Sequence, residues 1–373
     1  MTNSSADIIV LGAGIAGASL AARLAGRRRV VIVEREDLAG YHTTGRSAAM
    51  YIPSYGSPAT APLTRASRAF FEAPPAGFDG SLLRPRPVLH LAREGQMQAL
   101  EKLCRRAKGM GVTAAMAHQL VPILRPGIAA GGLLEADAAD IDVARLHGGW
   151  LRQAKELGAE LRLGTGDYRI ERRNGLWWLQ GEAWTLRAPV IVNAAGAWAD
   201  VVAAAAGLRP FGLEPRQRTV VLVDPPEHPD FGDWPIVKDV EERFYFRPLS
   251  QHLLITPADE APSPPCDARP DPLDIACAMT RFDAVADHPV RTIRHKWAGL
   301  RTFAPDRAPL VGWSPEVPGF FWHAALGGIG IQTSPAASRL AAAMLLDEQT
   351  PTELIDAGLQ AETLSPERLA NAA

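Results

Sequence analysis

The chain has 373 residues, of which 47% are hydrophobic and 21% are charged. These proportions are ordinary for a globular protein, and the length corresponds to about two or three domains. Lysine and arginine number 39 and aspartate and glutamate 41, so the formal net charge is −2. This balance argues against a nucleic-acid-binding protein or a polybasic membrane protein, because both usually carry basic patches.

The cysteines and histidines argue against a metal or disulfide framework. Cys104, Cys266 and Cys277 are odd in number and form no C-x-x-C pair. This pattern favours a reducing compartment. The nine histidines include no H-x-x-x-H pair, so we predict no metal site. No run reaches about 18 uninterrupted apolar residues, so we predict no transmembrane segment and a cytoplasmic location, with peripheral membrane contact left open.

The first predicted elements form a β-α-β unit. Residues 7–11 are typical of a buried parallel strand, and residues 18–25 form an alanine-rich helical stretch. Residues 30–33 predict a second buried strand, which ends at Glu34. The turn between strand and helix is a G-x-G-x-x-G motif at residues 12–17. A lone motif of this kind is weak, but a flanking strand, helix and second strand make it specific for a dinucleotide.

Each glycine of the motif has a physical role. Gly12 permits the tight turn, Gly14 lets a pyrophosphate approach the backbone, and Gly17 lets the helix pack against the sheet. The helix N-terminus offers free N–H groups and a positive dipole end to the phosphates. Glu34 follows the middle glycine by about 20 residues, where a carboxylate accepts the ribose hydroxyls.

Two further glycine-rich segments predict contact with the same cofactor. Residues 40–49 form a loop of small and hydroxyl side chains, which suits a large flat cofactor. Residues 327–334 follow a strand-like run at 320–325 and lead into a predicted helix. Ser334 is the expected N-cap of that helix and Pro335 lies in its first turn. A helix N-terminus directed at the cofactor would stabilise negative charge, such as that of anionic reduced flavin.

The middle of the chain predicts sheets. A meander is expected over residues 168–172, 176–179 and 183–187, with a hairpin turn at Asn174-Gly175. A buried strand at 189–193 then ends in small residues, where open α/β sheets bind ligands. The motif G-x-G-x-x-G occurs once, which argues against a separate NAD(P)H site.

Strand-like segments elsewhere predict a second, mostly antiparallel domain inserted into the first. They lie at residues 86–92, 219–223, 243–247 and 253–255, and residues 262–272 read as an exposed loop. We therefore predict an α/β protein with a Rossmann-like cofactor domain interrupted by a substrate domain. The cofactor domain is expected to comprise residues 1–84, 136–206 and 296–373, and the substrate domain residues 85–135 and 207–295.

The motifs together resemble those of a known family. They are GAGIAGAS (12–19), GYHTTGRSAA (40–49), RAFFEAPPAGF (68–78), ADIDVARLH (139–147), VNAAGAW (192–198), WAGLR (297–301) and GGIGIQTS (327–334). In these segments the sequence resembles the FAD-dependent D-amino-acid oxidase superfamily, most closely the bacterial D-arginine dehydrogenase type. The resemblance implies non-covalently bound FAD, a two-domain fold with an interrupted FAD domain, and oxidation of an amino acid at its α-carbon.

The resemblance also implies site residues. Arg301 matches the arginine that binds the substrate carboxylate, a role suited to its fork of donors. Tyr245 and Arg218 match further carboxylate-side groups, Tyr55 matches a tyrosine on a mobile loop over the site, and Gly328 belongs to the same catalytic set. The implied FAD contacts are Gly12, Gly14, Ile15, Ala16, Gly17, Glu34, Arg35, Thr43, Thr44, Gly45, Arg46, Ser47, Ala48, Ala49, Met50, Tyr168, Ala195, Gly196, Trp198, Gly299, Gly327, Gly328, Ile329, Gly330, Ile331, Gln332 and Thr333.

Three departures from the D-arginine type concern the substrate pocket. Val88 stands where an acidic residue binds the cationic side chain, and Met50 and Ile52 replace a histidine and a threonine. A guanidinium in such a pocket would lack its pairing carboxylate, which costs several kcal/mol when the group stays desolvated. We therefore predict a preference for D-amino acids with apolar or neutral side chains over D-arginine and D-lysine.

The implied reaction transfers a hydride from the substrate Cα to flavin N5 and yields a 2-oxo acid and ammonia after hydrolysis. An external electron acceptor, either a quinone-like compound or oxygen, completes the cycle, and a dehydrogenase is favoured. No protein base is required, and His42, the nearest candidate, is favoured as a structural loop residue. Oxidation of secondary amines or 2-hydroxy acids, and a flavin-binding protein without turnover, stay open as alternatives.

Overall fold

The computed structural model describes residues 2–370, with side chains described from residue 4 onward. The strands, in chain order, are β1 (Thr2–Ser5), β2 (Ile8–Leu11), β3 (Val30–Val33), β4 (Met50–Tyr51), β5 (Leu83–Pro85), β6 (Val88–Ala92), β7 (Met110–Val112), β8 (Gly131–Glu135), β9 (Ala139–Ile141), β10 (Glu160–Arg162), β11 (Arg169–Arg173), β12 (Leu176–Gln180), β13 (Trp184–Ala188), β14 (Val190–Asn193), β15 (Glu214–Val223), β16 (Ile236–Asp239), β17 (Tyr245–Leu249), β18 (His252–Thr256), β19 (Ile293–Phe303), β20 (Leu310–Trp313) and β21 (Phe320–Ala324).

The helices are α1 (Ile15–Leu24), α2 (Ala61–Glu72), α3 (Met97–Cys104), α4 (Ala114–Leu120), α5 (Val143–Glu156), α6 (Ala199–Ala205), α7 (Pro272–Asp283), α8 (Gly330–Leu345), α9 (Thr352–Asp356) and α10 (Glu367–Ala370). Short 3₁₀ turns occur at Gly196–Trp198, Phe231–Asp233 and Ala361–Leu364. Among the described residues, no helix combines the length and apolar character needed to cross a membrane.

The first layer is a six-stranded sheet in the order β10-β3-β2-β14-β21-β20. All neighbouring strands are parallel except β20 and β21. Every residue of β2 and β3 is buried, as expected for strands covered on both faces. Helices α1, α5 and α8 pack on one face, and the predicted meander β11-β12-β13 covers the other through Trp177 and Leu179. This confirms the Rossmann-like part of the predicted fold.

The second layer is an eight-stranded sheet in the order β19-β15-β18-β17-β16-β6-β8-β7. Its neighbouring strands are antiparallel except β16 and β6, which confirms the mostly antiparallel second part. The boundary predicted between residues 295 and 296 falls inside β19. That strand stays paired with β15 as far as Phe303, so the sheet extends past the predicted boundary.

The predicted start of the last long helix is wrong. Helix α8 begins at Gly330 rather than at Ser334, and Pro335 lies inside it. Proline has no N–H to donate to the carbonyl four residues earlier, that of Ile331. The Ser334 hydroxyl donates to this carbonyl instead, at 3.0 Å. The serine followed by proline therefore does not mark the start of the helix. It marks a point inside the helix where a side-chain hydrogen bond replaces the backbone hydrogen bond that proline cannot make.

Candidate active site

One cavity, of about 490 Å³, lies between the carboxyl ends of the parallel strands and one face of the eight-stranded sheet. Residues from all three predicted glycine-rich segments line it, although they are far apart in the chain. Arg301, Arg218, Tyr245, Tyr55 and Gly328 line the same cavity. The structure thus brings the residues expected to contact a cofactor together with those expected to bind the substrate.

Four residues of the predicted cofactor set do not line the cavity: Gly17, Gly45, Ile329 and Thr333. Gly17 packs against the backbone of Gly12 within the turn of the glycine motif. The Gly45 N–H donates to Gly40 O at 2.7 Å and closes the loop. Thr333 is fully buried, and its hydroxyl donates to Ile329 O at 2.9 Å inside the helix. These residues support the cavity wall from behind.

The glycine motif forms a cradle too tight for side chains. Gly12 has φ +102°, and a Cβ there would lie 2.6 Å from the Ala194 carbonyl oxygen. A Cβ on Gly17 would lie 1.9 Å from Gly12 O, and one on Gly14 would lie 3.2 Å from Thr44 Oγ1. The chain therefore brings bare backbone and the N-terminus of α1 to the cavity. This arrangement fits the pyrophosphate of FAD.

Acidic and aromatic side chains shape the neighbouring rim of the cavity. Glu34 Oε2 accepts from Ala13 N at 2.8 Å, which holds the carboxylate at the end of β3 where a ribose is expected. His42 Nε2 lies 2.9 Å from Glu36 Oε1, and its ring centroid lies 4.5 Å from that of Trp198. These contacts place His42 at the nucleotide-binding rim.

The predicted loop at residues 43–49 is tied to strand β19. The Thr43 hydroxyl donates to Leu300 O at 2.7 Å, and the Trp297 indole N–H donates to Arg46 O at 2.9 Å. The Arg46 guanidinium donates to Ala268 O at 3.0 Å and also pairs with Asp267. Arg46 thus lines the cavity, but its positive charge is already paired with Asp267. The loop is fixed where it passes between the two sheets.

Two arginines, Arg218 and Arg301, form a partly buried cationic centre on the second sheet. Arg301 Nη2 donates to the Tyr55 hydroxyl at 3.2 Å, whereas the buried Nη1 has no hydrogen-bond partner among the residues described. Glu260 Oε1 lies 3.7 Å from Arg301 Nη1 and 3.4 Å from Arg218 Nη2. A buried donor without a partner carries a free-energy cost, which a carboxylate ligand would remove.

The charges at this centre act on one another. Burial raises the pKa of the Tyr55 hydroxyl, but Arg301 and Lys238 outweigh burial and leave it lowered. Burial and the charge of Arg301 lower the pKa of Arg218. The surplus of positive charge felt by both groups is the electrostatic condition that attracts an anionic substrate group.

Gly328 lies directly against the Arg301 guanidinium. We expect Gly328→Ala to displace that guanidinium, because the new Cβ would lie 2.2 Å from Nη2. The fold and bound FAD should be retained, since the overlap is with the end of a flexible side chain. KM for a carboxylate substrate should rise about tenfold or more, as steady-state kinetics and flavin content would show. Gly111→Ala, with nothing within 4 Å of its Cβ, is the matched control; an unchanged KM for Gly328→Ala would contradict this packing.

Val88 does not line the cavity, so its predicted place in the substrate pocket is wrong. Val88 is fully buried in the core and pairs with Glu135 across the neighbouring strand. Ile52 packs in the same apolar cluster and, with Met50, does line the cavity. Two of the three predicted pocket positions therefore reach the cavity, and the third lies behind its wall.

The sequence interpretation missed two charged residues that line the cavity. Lys238 and Glu242 form an ion pair with 2.7 Å between Nζ and Oε1. Lys238 Nζ also lies 4.2 Å from the ring centroid of Tyr55. One signal was available, because Lys238 directly follows the apolar pair Ile236-Val237, and lysine is rarely buried unless paired. The pocket is consequently less apolar than Met50 and Ile52 alone indicated.

His323, on β21, is a second feature that the sequence did not reveal. It is fully buried beside the cavity, and neither ring nitrogen has a hydrogen-bond partner among the residues described. Burial lowers the pKa of His323 from 6.5 to about 4. The imidazole is consequently neutral in the folded protein near neutral pH.

This histidine makes the fold sensitive to acid. The unfolded chain takes up a proton below pH 6.5 that folded His323 takes up only near pH 4, so stability falls as the pH decreases through that window. His323 should account for about 2 kcal/mol of the loss between pH 7.5 and 5. We expect His323→Leu to lack this part of the pH dependence of the free energy of unfolding, as measured by urea unfolding. The exposed variant His295→Leu should keep the wild-type pH dependence. Identical profiles for His323→Leu and the wild type would contradict the prediction.

Several known proteins are similar to this chain in sequence or in fold. The chain is 25% identical to FAD-dependent oxidoreductase domain-containing protein 1 of Mus musculus, covering 92% of this chain and 81% of that protein. It is 26% identical to mitochondrial dimethylglycine dehydrogenase of Mus musculus over 64% of this chain, but it spans only 30% of that protein. The fold matches glycine oxidase from Geobacillus kaustophilus with a TM-score of 0.82 and 23% identity, covering 97% of this chain and 98% of that one.

A nucleotide cradle and a cationic centre share one cavity, an arrangement that suits an oxidoreductase with a dinucleotide cofactor. The chain belongs to the DAO family of FAD dependent oxidoreductases, whose family model matches residues 7–344. FAD is accordingly its cofactor. Gly12, Gly14, Glu34 and the loop at residues 43–49 are the groups in position to hold it.

Proposed function

We propose that the protein oxidises an amino acid at the carbon that bears the nitrogen, with D-amino acids as the substrates. The observation that carries this proposal is the buried Nη1 atom of Arg301, which has no hydrogen-bond partner among the described residues and lies in the same cavity as the nucleotide cradle. Arg301 and Tyr55 would bind the substrate carboxylate, while Arg218 and Tyr245 line the same end of the cavity. The preference for the D-enantiomer is supported by the sequence resemblance to the D-arginine dehydrogenase type.

The residues of this chain would bind and orient the substrate. Fixing the carboxylate on Arg301 restricts the rotation of Cα and its hydrogen, and such positioning lowers the barrier without a protein base. FAD, when bound, supplies the two-electron acceptor for the hydride. The substrate amine loses a proton and Cα loses a hydride, which gives an imino acid. Water then hydrolyses the imino acid to a 2-oxo acid and ammonia.

We infer that FAD is bound non-covalently, so acid precipitation of the protein should release it into solution. We also infer that the enzyme is a dehydrogenase that passes electrons to a quinone-like acceptor. The three cysteines are all free, which supports a cytoplasmic location. Met50, Ile52 and the ammonium of Lys238 line the cavity, and these side chains disfavour substrates with cationic side chains such as D-arginine.

A second candidate is oxidation of a secondary or tertiary amine attached to an acetate group. The similarity to dimethylglycine dehydrogenase favours it. Such substrates also present a carboxylate to Arg301, so the carboxylate site alone does not separate the two reactions.

Anaerobic titration of the purified holoprotein tests the proposal. Loss of the visible flavin absorption with D-amino acids, but not with L-amino acids, sarcosine, dimethylglycine or 2-hydroxyglutarate, is the expected result. Reduction by the N-methylated glycines alone would favour the second candidate, and reduction by 2-hydroxyglutarate alone would indicate a hydroxy-acid enzyme. Absence of reduction by every compound would indicate a flavoprotein without this turnover. Repeating the reaction with oxygen or a quinone identifies the acceptor.

A further inference from the structure

The strand register places Lys238 beside the proposed substrate-binding residues. Lys238 on β16 is the direct cross-strand partner of Tyr245 on β17. Directly opposed residues of an antiparallel pair project from the same face of the sheet. Both side chains line the cavity, as does Arg218 from β15. Lys238 therefore belongs to the same wall as the groups proposed to bind the α-carboxylate.

The two members of the Lys238–Glu242 ion pair differ in their freedom to move. The Lys238 side chain is 9% exposed, whereas that of Glu242 is 49% exposed. Lys238 Nζ is also fixed over the Tyr55 ring, and Tyr55 in turn contacts Arg301. Glu242 can move into solvent at little cost in free energy, but Lys238 cannot leave the pocket without losing its contact with the Tyr55 ring.

The charges at this end of the cavity are unequal. Arg218, Arg301 and Lys238 line it with positive charge, and Glu242 is the lining carboxylate paired with Lys238. The other carboxylates among the described lining residues belong to the segments around the nucleotide cradle: Glu34, Glu36 and Asp167. Glu260 lies behind the two arginines and is shared between them. One substrate carboxylate at Arg301 would leave Lys238 dependent on its exposed partner Glu242.

We propose that Lys238 binds a second acidic group of the substrate, with Glu242 as a displaceable counter-ion. This inference rests on the proposed function and names its substrate class, amino acids whose side chain carries a carboxylate. The ammonium has three donors, and Glu242 accepts from one of them. A substrate carboxylate can therefore approach Lys238 as Glu242 turns outward. A cationic side chain would instead have to separate Glu242 from Lys238 and leave a buried ammonium unpaired, which is unfavourable.

Matched pairs of acid and amide substrates test this assignment in the holoprotein. The ratio of kcat/KM for D-glutamate to D-glutamine, and for D-aspartate to D-asparagine, should be about tenfold or more in the wild type. Lys238→Met should reduce this ratio at least tenfold. Glu242→Gln should increase it, because the competing carboxylate is removed. Lys155→Met, on the exposed side of α5, is the matched control and should keep the wild-type ratio.

A binding measurement separates failure of this inference from failure of the proposed function. Glutarate should bind the holoprotein about tenfold more tightly than butyrate by isothermal titration calorimetry, and Lys238→Met should abolish the difference. If neutral D-amino acids reduce the flavin but the acid-to-amide ratio is one or lower, Lys238 does not bind an acidic group and only the inference fails. If no amine reduces the flavin, the proposed function fails, and glutarate binding still decides the role of Lys238. Equal affinity for glutarate and butyrate would overturn it.

Discussion

Replacing Arg301 with alanine is expected to lower kcat/KM about 10²–10³-fold, mainly through KM, while FAD stays bound. The Nη1 atom of Arg301 is buried and lacks a hydrogen-bond partner within residues 2–370. Removing one partner of a buried, hydrogen-bonded charge pair costs about 2–5 kcal/mol, and about 1.4 kcal/mol corresponds to a tenfold change in rate. Arg301 lies on β19, away from the glycine cradle near Gly12, so the flavin content should be that of the wild type. Steady-state kinetics with the best substrate of the panel provide the measurement.

Arg307→Ala is the matched control. Arg307 pairs with the same Glu260, at 2.9 Å, but its side chain is half exposed and does not line the cavity. Exposed ion pairs contribute about 0–1 kcal/mol, so this variant should stay within a few-fold of the wild type. Equal losses of kcat/KM in both variants would indicate that the effect comes from disturbing Glu260 and its surroundings, and not from losing the contact between Arg301 and the substrate carboxylate. An Arg301→Ala enzyme with unchanged kinetics would remove Arg301 from the substrate site.

The nucleotide cradle could be predicted from sequence because its determinants are local. Gly12, Gly14 and Gly17 lie within six residues, and the strands that flank them are continuous apolar runs. The same reasoning failed for Pro335, where the pattern matched a helix start. The buried hydroxyl of Ser334, the residue immediately before Pro335, donates to the carbonyl that the proline leaves free. Whether a carbonyl is satisfied in this way depends on the folded surroundings, which a local pattern does not contain.

The substrate wall could not be predicted in the same way because it depends on strand order. Val88 and Lys238 lie on adjacent parallel strands, and Val88 pairs with Ile236, two residues before Lys238. The strands are some 150 residues apart in the chain, and no local signal shows that they are neighbours. Val88 lies in the apolar cluster that contains Ile52, whereas Lys238, only two residues further along the strand pair, lies beside the Tyr55 ring. The polarity of the pocket therefore follows from long-range pairing.

Replacing Gly17 with alanine is expected to weaken both FAD binding and the fold. The added Cβ would lie 1.9 Å from Gly12 O, and a backbone oxygen cannot move aside as a side chain can. Helix α1 would have to shift away from β2, and overpacking of this kind costs about 1–3 kcal/mol. Because the shift also moves the N-terminus of α1, FAD affinity should fall about tenfold or more. Thermal unfolding and flavin titration of the apoprotein measure the two effects.

Gly148→Ala separates this effect from the general consequence of adding a methyl group to a helix. Gly148 lies inside α5, and a Cβ there would have nothing within 4 Å. Alanine is favoured over glycine in a helix interior by about 1 kcal/mol, so Gly148→Ala should be neutral or stabilising and keep full FAD affinity. If Gly17→Ala matched Gly148→Ala in both measurements, close contact between helix and turn would not be required for the cofactor. The opposite directions expected for the two variants follow from one distance, that between the new Cβ and a backbone oxygen.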